Sequence, residues 1–183
     1  MRKSRAVECK LRKAILAAIE ASSSEAAERV AAILCRLYRG GHIVPRRERA
    51  RRSTRAQRKD PFTLLVVLDE QGTAQGRLYV DDGSSFAFLK GQYVDADIMF
   101  EAGVLTYTPK HVGVQYSLAF ERVIILGWPF KSPGATYAAK SQSGVTYEVT
   151  RSSTFGGSEA RALIVRNPLT PVASPWALEV YEK

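Results

Sequence analysis

At 183 residues, with 45% hydrophobic and 25% charged side chains, the chain can bury one real core and is too apolar for global disorder. It is too short to hold a (β/α)₈ barrel, which needs about 250 residues, beside a β-sandwich. The formal charge of +9 is uneven: residues 1–60 hold 17 Lys/Arg against 6 Asp/Glu, and residues 61–183 hold 10 against 12. The body is therefore near neutral, and any general attraction to polyanions resides in the first third.

Residues 1–37 read as a helical segment. Val7, Leu11, Ile15 and Ile19 recur at i, i+4, and Val30, Ile33, Leu34 and Leu37 form a second stripe. Ser22 and Glu25 between them have capping-box spacing. The expected arrangement is a helical hairpin, with a partner-binding or membrane-surface helix as the alternative. The apolar stretch Ala14–Ile19 is shorter than a secretory core and ends at Glu20. No apolar run reaches the roughly 18 residues of a membrane span. No targeting signal is read, and the chain as written is expected in the cytoplasm. Cys9 and Cys35 both lie here; their wide spacing, with neither histidine near both, gives no metal pattern, and free thiols are the favoured reading.

Residues 46–59, RRERARRSTRAQRK, form the densest charge run and contain no aromatic residue. Single-strand nucleic-acid surfaces pair cations with stacking rings, so a solvated loop or edge strand is the favoured reading and nucleic acid is disfavoured as a partner. From Asp60 onward, strand follows strand. The pattern predicts strands at 62–68, 76–80, 85–89, 93–100, 104–108, 114–126, 135–140, 145–150, 161–166 and 176–182. Val145, Tyr147 and Val149 alternate onto one face, and Phe120–Gly127 is apolar enough for a central strand. Turn chemistry falls at Asp82-Gly83, Ser132-Pro133-Gly134, Gly156-Gly157 and Asn167-Pro168. Short strands with no amphipathic helix between them predict an all-β fold, an antiparallel β-sandwich behind a short basic helical N-terminal segment.

Several motifs carry a resemblance in order along the chain. They are Tyr38-Arg39-Gly40-Gly41-His42-Ile43-Val44-Pro45, then DPFTLLVVLDEQGTAQGRLYVDDGSSF from Asp60 to Phe86, then Glu121-Arg122-Val123-Ile124-Ile125-Leu126-Gly127. Leu163-Ile164-Val165-Arg166 and Val172-Ala173-Ser174-Pro175-Trp176 close the set. Over residues 38–183 the chain resembles the C-terminal β-sandwich region of glycoside hydrolase family 31 α-glucosidases, of the glucosidase II α-subunit type. The resemblance implies three parts. Residues 1–37 match nothing in the family, 38–59 are the last strand of a proximal sandwich plus a basic linker, and 60–183 are the distal sandwich. It further implies hydrolysis of α-linked glucose in N-glycan processing by the parent enzyme, in the endoplasmic reticulum lumen. The implied partners are the parent's catalytic barrel and a glucosidase II β-subunit.

The catalytic chemistry itself is not expected in this stretch. A retaining glycosidase needs two carboxyl groups about 5–5.5 Å apart, and in the family both are aspartates on the barrel. The tempting pair, Asp81-Asp82, sits on a strand end before Gly83, where adjacent side chains diverge; a turn role is favoured. His42 and His111 have no nucleophile motif beside them and read as isolated. No catalytic, cofactor-binding or metal-ligating residue is assigned. Of the two tryptophans, Trp176 alternates with Leu178 and Val180 and reads as core, whereas Trp128, between Gly127 and Pro129, is the candidate sugar contact. The expectation is an accessory or structural C-terminal fragment, inactive alone. A stand-alone carbohydrate-binding module is the alternative.

Overall fold

The computed structural model describes residues 38–130, 135–155 and 158–183. The helical hairpin, the two cysteines and the turns at 132–134 and 156–157 expected from sequence lie outside these residues. Arg39–Lys183 form one compact unit.

Its elements are β1 (His42–Arg46), a single helical turn α1 (Thr54–Gln57), β2 (Phe62–Val67), β3 (Ala74–Val80), a 3₁₀ turn (Ala87–Lys90), β4 (Val94–Glu101) and β5 (Val104–Val112). Then come β6 (Ala119–Leu126), β7 (Tyr137–Ser141), β8 (Thr146–Phe155), β9 (Ser158–Pro171) and β10 (Trp176–Glu182). The strands close on themselves in the order β1-β2-β6-β9-β8-β7-β10-β5-β4-β3. The all-β expectation stands, and the closure removes the open edges that a lone sheet would expose.

The expected purely antiparallel sandwich is corrected at two pairs. β2 runs parallel to β6, from Phe62 opposite Phe120 to Val67 opposite Leu126. β1 meets β3 in parallel at His42 and Gln75, which completes the ring. Parallel strands need cover on both faces, and β2 has it: Phe62, Thr63, Leu64, Leu65 and Val66 are all buried. The meander β3-β4-β5 forms the crossover that a parallel pair requires. β1 lies antiparallel along β2 for its whole length, so the stretch set apart as 38–59 shares a sheet with the strand after it.

Two further expectations fail locally. The strand at 85–89 is instead a 3₁₀ turn, because the Asp82 carboxylate accepts from the Ser84 and Ser85 amides and winds the chain up. Its apolar residues Phe86 and Leu89 stay exposed. The strand at 114–126 begins only at Ala119. Residues up to Val112 join β5, and at Gly113 the backbone passes so close to the Gly91 carbonyl that a Cβ would overlap it.

The core lies inside the ring. Tyr107 of β5 stacks on Trp176 of β10 at 5.4 Å with 9° between planes, and Phe120 of β6 meets both edge-on at 5.2 and 5.3 Å. These residues come from opposite stretches of the strand order, so the aromatic group spans the interior. The Tyr107 hydroxyl donates to the Val172 carbonyl at 2.7 Å, and burial pushes its phenol well above the usual tyrosine range.

Candidate functional site

The Asp81-Asp82 pair is a turn device. Asp81 Oδ1 accepts from the Gly83 amide at 2.7 Å. Asp82 Oδ1 accepts from the Ser84 and Ser85 amides at 3.1 and 3.0 Å, and its Oδ2 accepts from the Ser85 hydroxyl. Gly83 takes φ +58° between them, a conformation that costs other residues about 1–2 kcal/mol. The Ser85 hydroxyl and amide bonds hold the Asp82 carboxyl below the usual aspartate range, opposite to what a general acid requires. Arg58 clamps the turn from outside, donating to the Gly83 carbonyl at 2.6 Å and the Ser84 hydroxyl at 3.0 Å.

The basic run is drawn into the fold in the same way. Arg51 makes a two-pronged pair with the buried Asp60 at 2.9 and 2.7 Å, which holds that carboxyl below its ordinary value. Arg49 reaches Glu121 at 2.7 Å, and the guanidinium of Arg47 lies 4.4 Å from the centre of the Phe62 ring. On the β3-β4 ladder Arg77 grips Asp95 through two bonds of 2.6 Å, and that carboxyl is lowered likewise. The histidines are apart. His42 Nδ1 bonds the Gly40 carbonyl at 3.0 Å, while His111 stacks on Tyr93 at 4.2 Å and its Nε2 bonds the Gly91 carbonyl at 2.8 Å. Among the described residues no group of three His, Cys, Asp or Glu could hold a metal ion.

Trp128 is half-buried. It meets Phe100 edge-on at 6.1 Å and Tyr137 edge-on at 5.9 Å, so its ring is part of the core wall. Trp176 is the other case. It belongs to the core, yet it also lines an open cleft of about 530 Å³.

That cleft is made by a bulge in β9. Between Arg122 opposite Arg166 and Phe120 opposite Thr170, three residues of β9, Asn167, Pro168 and Leu169, are set against one of β6, Glu121. Asn167 and Leu169 there adopt φ +51° and +49°, and Leu169 is thrown outward to 64% exposure. Pro168, Thr170 and Pro171 complete the bulge wall. Tyr147 of β8 ties it in place, its hydroxyl donating to the Pro168 carbonyl at 3.2 Å. The β7–β8 turn adds Ser141 and Ser143, whose hydroxyls bond each other at 2.8 Å, and the head of β10 adds Pro175 and Trp176. Sequence reasoning missed this wall because Asn167-Pro168 reads as the end of a strand. The signal was the proline spacing, Pro168, Pro171 and Pro175, since proline inside a strand marks a bulge or an edge.

No family profile matches the chain. Among curated proteins, a probable glucan 1,3-alpha-glucosidase of Arabidopsis thaliana is 31% identical over 147 residues, 78% of this chain and 16% of that protein. Neutral alpha-glucosidase AB of Mus musculus is 36% identical over 146 residues, 78% of this chain and 15% of its own length. Among solved structures, the glucosidase II alpha subunit bound to α3-Glc2 superposes with a TM-score of 0.64 and 30% identity, over 77% of this chain and 16% of that one. A heterodimer of the glucosidase II catalytic subunit with the binding domain of its regulatory subunit gives the same score and identity over the same shares. The chain thus spans about one sixth of the length of the relatives it matches. With ordered motifs, strand pairing and superposition in agreement, the chain belongs to the glycoside hydrolase family 31 α-glucosidases, as a homologue of the C-terminal region of the glucosidase II α subunit.

Proposed function

We propose that these 183 residues form the scaffolding end of a glucosidase II-like α-glucosidase and contribute no catalytic acid of their own. The parent activity is hydrolysis of α-linked glucose during N-glycan processing in the endoplasmic reticulum lumen. The stretch depends on the parent's catalytic barrel for that chemistry, and a regulatory β-subunit is a further partner of the parent. The observation that carries this reading is where the carboxylates go. Asp81 and Asp82 are both taken up by backbone donors of one turn, and Asp60 and Asp95 are each gripped by an arginine through two bonds. These four carboxylates serve the fold and do not converge as the close pair a retaining glycosidase needs.

An assay of the purified chain on an aryl α-glucoside tests the proposal. The expected result is turnover indistinguishable from buffer. Hydrolysis above buffer overturns it: if it persists when Asp81 and Asp82 are both changed to Asn, an acid pair exists elsewhere in the chain, and if it is lost, that pair is itself catalytic.

A further inference from the structure

The cleft beside the β9 bulge has a specific chemistry. No residue lining it carries a formal charge, in a chain that is one quarter charged. An anion or cation entering it would shed hydration without meeting a counter-charge, so the occupant it suits is neutral. Three of its lining residues are more than nine-tenths buried, Trp176 at 7%, Thr170 at 8% and Ser141 at 9% exposure. Trp176 Nε1 and Thr170 Oγ1 both lack any hydrogen-bond partner. Orphaned buried polar atoms are rare in folded proteins, and each costs about 1–3 kcal/mol. An indole N–H only donates, and a hydroxyl donates and accepts. Together they match a ligand bearing neighbouring hydroxyl groups. Tyr147 and the prolines supply the apolar surface against which the C–H face of a sugar ring packs. The volume of about 530 Å³ is within the usual range for small-ligand sites.

The backbone gives an independent indication. Two non-glycine residues held in the left-handed region within one bulge, Asn167 and Leu169, store strain, and such strain gathers beside functional sites. Leu169 stands at the cleft with its side chain mostly exposed.

We propose that this cleft is a carbohydrate-binding site for a neutral oligosaccharide. The sugar hydroxyls bond Trp176 Nε1 and Thr170 Oγ1, and one ring packs along Tyr147 and Pro168. Both polar atoms are sealed from water in the resting state, so the side chains around them shift as the sugar enters. This site binds and does not cleave, and it stands whether or not the chain turns over an aryl glucoside.

The test uses the full chain in Trp128→Phe form, which leaves Trp176 as the sole tryptophan. Maltotriose, nigerose and cellobiose are titrated while indole fluorescence and amide NMR shifts are recorded. The expected result is a saturable response to at least one of them, with Kd of about 1 mM or tighter, centred on Ser141, Tyr147, Thr170 and Trp176. Thr170→Val keeps the shape and removes the hydroxyl, and it should weaken binding about tenfold while the fold is retained. Trp176→Phe should weaken it at least as much; Thr170→Val decides the matter if that variant fails to fold. Flat titrations with all three sugars overturn the proposal. So do an unchanged affinity in Thr170→Val, and a response present in the parent chain but lost in Trp128→Phe. A matching shift pattern produced by an uncharged proline-rich peptide, with the sugars silent, reassigns the cleft to peptide.

Discussion

The Asp81–Ser85 turn and the β9 bulge both interrupt strands with an unusual backbone, yet they treat their polar atoms in opposite ways. In the turn, carboxylates, amides, hydroxyls and the Arg58 guanidinium satisfy one another, and glycine occupies the left-handed position. In the bulge, an asparagine and a leucine occupy left-handed positions, and the cleft beside it keeps an indole N–H and a hydroxyl without partners. A region shaped only for stability resembles the first. A region that holds strain and unmet bonding capacity resembles a site prepared for something else.

The largest effect should come from Trp176→Ala. The indole is stacked on Tyr107 and met edge-on by Phe120, so its loss opens a hole in the aromatic core. Stability should fall by about 3–5 kcal/mol, read from urea unfolding with the slope unchanged. A loss under about 1 kcal/mol would mean that the cleft is separable from the core, and the contrast with the turn would then be one of position only.

Acid separates the two regions next. The folded values of Asp60, Asp82 and Asp95 are all lowered, so the stability they contribute is fully present above the ordinary aspartate value of about 4. It drains away as the pH falls below that toward the lowered folded values. In the unfolded chain these groups bind protons first, which fixes the sign. Melting temperature should therefore decline steeply below about pH 4, and Asp82→Asn should remove part of that slope and expose the Ser84 and Ser85 amides to hydrogen exchange. Sugar binding, in a cleft with no carboxylate, histidine, lysine or arginine, should stay flat from about pH 5 to 8. A bell-shaped binding profile would show that a charged group reaches the ligand.

Much of this contrast could be read from sequence, and the part that could not has a physical cause. Asp81-Asp82-Gly83 announces its turn because side-chain-to-backbone bonds act within three residues. The all-β class and most of the strands follow from local alternation and turn spacing. The parallel pairing of β2 with β6 does not, since it joins residues some sixty positions apart. Trp176 shows the same limit. Its alternation with Leu178 and Val180 places it correctly in the core, but nothing local tells that its nitrogen lacks a partner. Phe86 and Leu89 mislead in the other direction, their apolar character suggesting a strand where the Asp82 carboxylate has already bent the chain.

Thr170→Val tests the orphan directly through stability. Removing a partnered group destabilises, whereas replacing an unpartnered buried hydroxyl with a methyl group removes an unmet desolvation cost. The variant should be more stable by about 1 kcal/mol, seen as a rise of a few degrees in melting temperature. Ser85→Ala, at the satisfied turn, should move the other way. Two changes of the same sign would erase the distinction between the regions.

The smallest effect concerns the strain itself. Glycine accepts φ near +49° without a steric penalty, so Leu169→Gly relieves the conformation while adding unfolded-chain entropy. The side chain is mostly exposed, so little burial is lost with it. The net gain should be about 0.5 kcal/mol, against a loss of similar size for Gly83→Ala in the turn. The informative quantity is the pairing of this gain with sugar affinity. If Leu169 gates the cleft, Leu169→Gly should bind faster and release faster, with Kd changed less than either rate. If the rates stay as they were, the strained bulge shapes the wall without gating it, and its left-handed residues serve only to carry the chain from Arg166 to Thr170.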